Sequence, residues 1–247
     1  MGSCVITKKK LDDLKKAEPF MKMNDLVYKL IKDAILDAEF MPGEKLQVTG
    51  IADELDVSVT PVRNALKKLV DEQLVVEDVM NKRYYVFDIS DRELGEIFDT
   101  RKMFEGAASA ICAQRCSVID TDTLEHLAEQ FRDLWIASIG EKSDRENMTK
   151  RAAADSAFHD LIIRSTDNHF MIDYYRDLSQ AQSHSLFRSM GFWDGDSEMN
   201  KRILAGQHIS IVRAIESGQP DAARKTAEEH MDFCKFRCLM NRKHLKR

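Results

Sequence analysis

Four side chains in the C-terminal half have the types and spacing of a metal site. Asp155 and His159 are four residues apart, so on a helix they point from one face and can hold the same ion. His208 and His230 lie in two later segments of helical periodicity. One carboxylate oxygen and three imidazole nitrogens suit Zn²⁺, and also Ni²⁺, Fe²⁺ or Mn²⁺, with one position left for an oxygen of a ligand. Taken singly, each histidine also fits a hydrogen-bonded structural role, since such residue pairs occur by chance in many helices.

The elements that must position these residues are helices. From Asp91 onward apolar residues recur at helical spacing, glycine and proline are few, and no alternating strand runs occur. The pattern predicts an all-α antiparallel helical bundle over residues 91–247. Six helices are predicted, at Arg92–Gln114, Asp120–Ile139, Thr149–Ser165, His169–Ser189, Ser197–Ser217 and Pro220–Arg242, with loops at Gly140–Asn147 and Gly191–Asp196.

The N-terminal part has a different pattern, which predicts a winged helix-turn-helix. An apolar stripe from Leu26 to Ile35 indicates a first helix, Ile51 to Leu55 a short second one, and Pro61 to Leu69 a third that begins at the proline. The β-branched and aromatic runs Leu74–Glu77 and Arg83–Phe87 then indicate a β-hairpin wing. We place this domain at residues 23–90, after an N-terminal extension at residues 1–22.

The third helix turns a polar and basic face away from its apolar one. A recognition helix in this position enters the major groove, so Arg63 is expected to contact a base edge or a phosphate. Lys67, Lys82 and Arg83 would supply phosphate contacts. A small helical domain with a solvated basic face is the other interpretation. The full set of expected DNA contacts is Ser58, Thr60, Arg63, Asn64, Lys67, Lys82 and Arg83.

Composition agrees with a two-domain protein that binds DNA locally. The 247 residues allow two hydrophobic cores. The net charge of −5 and the pI near 5.8 argue against a protein that coats nucleic acid without specificity. No apolar run is long enough to span a bilayer, and the segment after Lys8 lacks the apolar core of a signal peptide. We therefore expect a cytoplasmic protein without a membrane partner.

The five cysteines, an odd number, fit a reducing compartment better than a disulfide framework. Cys112 and Cys116 are four residues apart, as are Cys234 and Cys238, so each pair would share a helical face. A soft-metal or redox site is one interpretation. Buried free thiols, which behave as small apolar side chains, are the favoured one.

The N-terminal motifs closely resemble the DNA-binding domain of the GntR family of bacterial transcription regulators. The resemblance covers residues 25–90 and rests on several segments in the family's order, with two departures. Val59 stands where the family commonly has an arginine, and Arg83 stands near the wing tip, where the family favours glycine. The matching segments are Pro42-Gly-Glu-Lys-Leu46, Ile51-Ala-Asp-Glu-Leu55, Val57-Ser58 and Thr60-Pro-Val-Arg63.

The C-terminal half resembles the ligand-sensing domain of the FadR branch of this family, called FCD. The resemblance rests on Asp155-Ser-Ala-Phe-His159, on Gln207-His208 with Ala214-Ile-Glu-Ser-Gly218, and on Glu229-His230. It implies that the aspartate and three histidines coordinate a divalent metal, with zinc favoured. It also implies an effector that is a small organic acid and completes the metal shell with an oxygen.

The resemblance implies two effector contacts. Arg101 would pair with the acid, although an Arg101–Glu105 surface ion pair explains the same residues. Asn168 would also contact the acid, although it could instead cap the following helix. We therefore predict a homodimeric transcription regulator, of the repressor type, that binds a near-palindromic DNA operator under effector control. The alternative is a metal-dependent enzyme that acts on a small carboxylic acid.

Overall fold

The computed structural model describes residues 6–37, 39–140, 145–179 and 198–245. The chain divides into two compact units, residues 1–88 and residues 89–247. None of the helices in the described ranges combines the length and apolar character that a membrane span requires.

The first unit consists of four helices and a small antiparallel sheet. Its helices are α1 (Lys8–Ala17), α2 (Met23–Leu36), α3 (Val48–Leu55) and α4 (Val59–Asp71). The strands β1 (Lys45–Leu46), β2 (Val75–Asp78) and β3 (Arg83–Val86) form a sheet in the order β1-β3-β2. The predicted winged helix-turn-helix and its hairpin are confirmed. The sequence did not indicate β1, because a two-residue strand is too short to show a period.

The core of this unit is formed by the faces that the apolar spacing predicted. Ile31 of α2, Leu55 of α3 and Leu66 of α4 are fully buried in one hydrophobic cluster. Ile6 and Leu11 belong to the same cluster, so α1, which the sequence did not predict, packs into this core. The residues assigned to an N-terminal extension therefore contribute to the core of the first unit.

The helix-turn-helix differs from the prediction at the start of α4. The helix begins at Val59, with Ser58 as its N-cap, rather than at Pro61. Pro61 is still in the first helical turn, where a missing N–H leaves no backbone hydrogen bond unmade. Asp56 ends α3 in the left-handed conformation with φ of 53°, which a short polar side chain tolerates. The turn between the two helices is therefore Asp56 to Ser58.

The second unit is helical throughout its described part, as predicted. The 24-residue helix α5 (Asp91–Gln114) begins with a capping box. The Ser90 hydroxyl accepts from the backbone N–H of Glu93, and the Glu93 carboxylate accepts from the backbone N–H of Ser90. The other helices are α6 (Thr121–Ala137), α7 (Arg145–Ser165), α8 (residues 169–179), α9 (Glu198–Glu216) and α10 (Pro220–Leu245).

The second unit differs from the prediction mainly at the start of α7. This helix already includes residues 145–147, which the sequence assigned to a loop. The helix predicted at His169–Ser189 is described only over residues 169–179, and the loop predicted at Gly191–Asp196 lies outside the described residues. The last helix continues past Arg242 to Leu245.

Candidate metal centre and nucleic-acid interface

The structure brings Asp155, His159, His208 and His230 together in the core of the second unit. Helix α7 contributes the first two, α9 the third and α10 the fourth. One donor atom from each of the four residues lies within 4.8 Å of the others. His208 is 0% exposed and His230 1% exposed, so the donors point into the bundle rather than into solvent.

The ring nitrogens that face one another are the Nε2 atoms. His159 Nε2 lies 3.4 Å from His230 Nε2 and 3.6 Å from Asp155 Oδ1. His208 Nε2 lies 3.5 Å from the same carboxylate oxygen. Two donors on one ion at about 2.1 Å each are at most about 4.2 Å apart, so these three separations fit a shared ion.

His208 gives a second test of whether a metal fits. Its ring is stacked between Phe131 and Phe158, with centroid separations of 4.0 and 4.1 Å. Both of its nitrogens are buried without a hydrogen-bond partner. A buried polar atom without a partner lowers stability, whereas a cation at Nε2 would satisfy one of the two. The residues therefore fit a bound divalent ion.

Two neighbouring side chains orient the imidazoles. Glu105 Oε2 lies 2.5 Å from His159 Nδ1, and Gln207 Oε1 lies 2.8 Å from His230 Nδ1. Such partners hold the Nδ1 side of each ring and turn Nε2 toward the position of a metal. Neither role could be predicted from the sequence. Gln207 was visible only as the neighbour of His208, and Glu105 only as the fourth residue after Arg101.

The charges of the cluster are strongly coupled. Burial alone would lower the pKa of His159, but the carboxylates of Glu105 and Asp155 outweigh it and raise that pKa to about 9. Burial and the charge of His159 lower the pKa of His230 to about 3. The pKa of His208 is also lowered, by burial and then by His159. Without a metal, the cluster therefore holds one extra proton, on His159.

Arg101 lies beside this cluster and is already paired. Its Nε donates to Glu105 Oε1 at 2.8 Å, and the two side chains are 6% and 3% exposed. Tyr175 OH donates to the same carboxylate oxygen at 2.7 Å. The Arg101–Glu105 pair therefore exists, but it is buried and not the surface pair considered from sequence. Burial opposes the charge on Arg101, and the carboxylates outweigh it and raise its pKa.

Asn168 is exposed, and its Oδ1 accepts from the N–H of Met171 at the start of α8. Its described contacts are those of a helix cap, and they do not reach the four-residue cluster. The cysteines Cys112, Cys116, Cys234 and Cys238 are free thiols. Burial raises the pKa of Cys112 to about 11, so it remains protonated at neutral pH and is a poor metal ligand.

The candidate DNA contacts lie on the surface of the first unit. All seven are exposed, namely Ser58, Thr60, Arg63, Asn64, Lys67, Lys82 and Arg83. The four positively charged ones form no salt bridge within the described part of the chain. Ser58 caps α4 through its backbone without a side-chain hydrogen bond, so its hydroxyl is available. The helix N-terminus and its nearby N–H groups favour phosphate at this position.

Two details of this surface could not be read from the sequence. Lys68, on the same polar face, lies over the Tyr28 ring at 3.9 Å and pairs with Asp25. At the wing, Lys82 adopts a left-handed conformation with φ of 52°. The position that needs a positive φ, where glycine is favoured, is therefore Lys82 and not its neighbour Arg83.

Replacement of Glu105 by glutamine should weaken metal binding about 10- to 100-fold, because the neutral amide orients His159 less firmly and adds no negative charge. Metal affinity measured by competition with a chromophoric chelator tests this. The matched control is Glu96→Gln on the exposed side of the same helix, which should leave the affinity unchanged. Equal affinities in the two variants would contradict an orienting role for Glu105.

Metal binding should also release about one proton per ion at neutral pH. His159 must lose its extra proton to coordinate, and its pKa in the metal-free protein is about 9. Apparent affinity should therefore rise about tenfold per pH unit between about pH 6 and 8, and level off above about pH 9. Chelator competition in buffers of different pH measures the slope. A flat profile in this range would mean that His159 is not a protonated ligand.

Comparison with known proteins agrees with this architecture. Residues 96–233 match the FCD domain, and residues 24–81 match the bacterial regulatory proteins of the gntR family. The transcriptional repressor GlaR of Escherichia coli is 27% identical over 208 residues, which are 83% of this chain and 90% of GlaR. The gluconate operon transcriptional repressor of Bacillus licheniformis is 23% identical over 190 residues, 77% of this chain and 74% of that protein.

Solved structures of related regulators share the fold. The Lar protein, which controls the agr system of Listeria monocytogenes, superposes with a TM-score of 0.59 at 18% identity, over 89% of this chain and 97% of that one. A putative GntR transcriptional regulator from Rhodococcus sp. RHA1 gives 0.53 at 24% identity, over 88% and 97%. Because the FCD match alone spans more than half of the sequence and follows a gntR match, the chain belongs to the FCD-containing GntR family of bacterial transcription regulators.

Proposed function

We propose that this protein is a homodimeric repressor whose affinity for a DNA operator is controlled by a small organic acid bound at the four-residue metal site. The convergence of Asp155, His159, His208 and His230 on one buried point carries this proposal. Two relatives that align with most of the chain are named repressors, which supports the direction of regulation. The cytoplasmic location expected from the sequence remains a prediction.

The DNA-binding part of the proposal rests on the exposed face of α4 and on the wing. Thr60, Arg63, Asn64 and Lys67 are exposed and three or four residues apart, so they share one face of the helix. Two copies of this helix would enter successive major grooves of a near-palindromic operator, which is why a dimer is expected. Lys82 and Arg83 would contact the phosphates from the wing.

The metal part of the proposal assigns the ligands Asp155 Oδ1 and the Nε2 atoms of the three histidines. Zinc is favoured by this donor set, and nickel, iron and manganese remain compatible with it. A bound ion would supply a Lewis-acidic centre for an oxygen of the effector. The protein's part is to hold the imidazoles in one tautomer, through Glu105 and Gln207, and to exclude water from the site.

The comparisons give the alternative of a metal-dependent enzyme no support, because the relatives are transcription regulators. A DNA-binding unit whose candidate contact residues are all exposed would also have no role in such an enzyme. The site residues are better explained as a sensor, in which the ion binds an effector without transforming it.

Replacement of Arg63 by alanine should weaken binding to the specific operator by about 1–3 kcal/mol, roughly a 5- to 150-fold loss. The reason is the loss of one base or phosphate contact from the recognition helix. Fluorescence anisotropy with operator DNA at several salt concentrations measures it. Arg224→Ala, an exposed arginine of the second unit, is the control. Unchanged affinity for Arg63→Ala would count against α4 as the recognition helix.

Replacement of His208 by alanine should lower the metal content and the response to acid together, because the acid is expected to bind through the metal. A thermal-shift screen of small carboxylic acids, with metal present or stripped by chelator, tests this. An acid at about 100 times its Kd should stabilise the wild type by about 2.7 kcal/mol. Asp155→Asn, which keeps the side-chain shape, guards against simple unfolding, and exposed His126→Ala is the control. Full metal content in both ligand variants would refute the ligand set.

A further inference from the structure

Next to the candidate metal ligands, the same helices carry buried cationic side chains. Arg151 is four residues before Asp155 on α7, Lys201 seven before His208 on α9, and Arg237 seven after His230 on α10. Residues four and seven apart share a helix face, so each cation points into the bundle core as the ligands do. Their exposed fractions are 4%, 5% and 2%.

Two of these cations meet at Trp135, near the end of α6, and Lys201 reaches the same end of that helix at the Ser138 carbonyl. The guanidinium groups of Arg151 and Arg237 lie over its ring, with centroid distances of 4.6 and 4.8 Å. The Trp135 ring packs edge-on against Phe131 at 6.1 Å, and Phe131 in turn stacks on His208 at 4.0 Å. The group Trp135, Arg151, Lys201 and Arg237, called here the Trp135 layer, therefore borders the metal cluster.

The Trp135 layer contains hydrogen-bond donors that the described residues do not satisfy. The Lys201 ammonium has three N–H donors, and within the described ranges it donates to the Ser138 carbonyl at 3.1 Å and forms no ion pair. The indole N–H of Trp135 is buried without a hydrogen-bond partner. Cation–π stacking stabilises the guanidinium groups of Arg151 and Arg237 on the Trp135 ring. It supplies no acceptor for the Lys201 ammonium or for the Trp135 N–H.

The missing partner must be an acceptor, and an anion fits best. The ammonium of Lys201 is positively charged, and both it and the indole N–H of Trp135 are donors. In the described part of the chain, the buried carboxylates are Glu105 and Asp155. Each of these contacts a histidine of the metal cluster, and neither pairs with Lys201.

We propose that the Trp135 layer is a second anion subsite and that the effector is a dicarboxylic acid with its acid groups at opposite ends. This inference rests on the proposed function: one carboxylate binds the metal, and the other accepts from Lys201 Nζ and Trp135 Nε1. The layer is displaced from the ligands by four to seven residues, about 6–10 Å of helix rise. The two acid groups are therefore separated by a chain of several carbons.

The test compares straight-chain diacids with monoacids of equal length on the metal-loaded full-length protein. Glutarate, adipate and pimelate are titrated against pentanoate, hexanoate and heptanoate by calorimetry. At least one diacid should bind about tenfold tighter than its monoacid, since it gains a charge-assisted hydrogen bond to Lys201.

Two variants locate that gain. Lys201→Met, which keeps the side-chain length, and Trp135→Phe, which keeps the ring but removes the N–H, should each abolish most of the preference for the diacid. Both should leave the metal content and the monoacid affinity unchanged. The control is Arg202→Met at the next, exposed position, which removes the same charge and should have no effect.

The outcomes separate this inference from the function on which it rests. One outcome is that acids bind only with metal present but show no preference for diacids, or that Lys201→Met keeps the preference. That result would overturn the second subsite and leave the metal-dependent sensor intact. Failure of every acid to bind the metal-loaded wild type would overturn both.

Discussion

The contact between Glu105 and His159 is the interaction on which the core of the second unit depends. A carboxylate that is 2% exposed is costly unless charged or hydrogen-bonding groups surround it. Glu105 has three such partners, Arg101 on α5, His159 on α7 and Tyr175 on α8. Its charge therefore ties three helices together and holds the His159 ring with Nε2 directed at the other candidate ligands. The orientation of the site and the packing of the helices have the same cause.

The same contact decides which protons the cluster can hold. Three imidazoles whose rings are about 5 Å apart cannot all be charged in a buried site. The carboxylates place the extra proton on His159, and that charge lowers the pKa of His208 and His230 further. Two of the three candidate histidine ligands are therefore already neutral, as metal coordination requires. A metal ion would have to displace one proton from the cluster and not three.

The sequence predicted the residues that follow a simple spacing rule and missed those whose role depends on burial. The inward faces of α2 and α4 follow from apolar spacing, and the four residues of the candidate metal cluster follow from an i, i+4 pair together with family motifs. Glu105 and Lys201 have the appearance of surface charges in the sequence, because charged side chains are seldom buried. Their burial arises from the packing of helices that are distant in the chain. Strand β1 could not be predicted because it has only two residues, and these are held in a sheet by β3 some forty positions later in the chain.

Helix α10 contacts both the candidate metal cluster and the first residues of the second unit. It carries the candidate ligand His230 and, twelve residues later, Arg242. The Arg242 Nε donates to Asp91 Oδ1 at 2.8 Å, and its Nη2 donates to the Ile89 carbonyl. Residues 89–91 follow directly on the DNA-binding unit along the chain. A ligand alters DNA affinity only if it binds two arrangements of the protein with different affinity. Because α10 carries both His230 and Arg242, a shift of this helix at His230 would act directly on the contacts that Arg242 makes to residues 89–91.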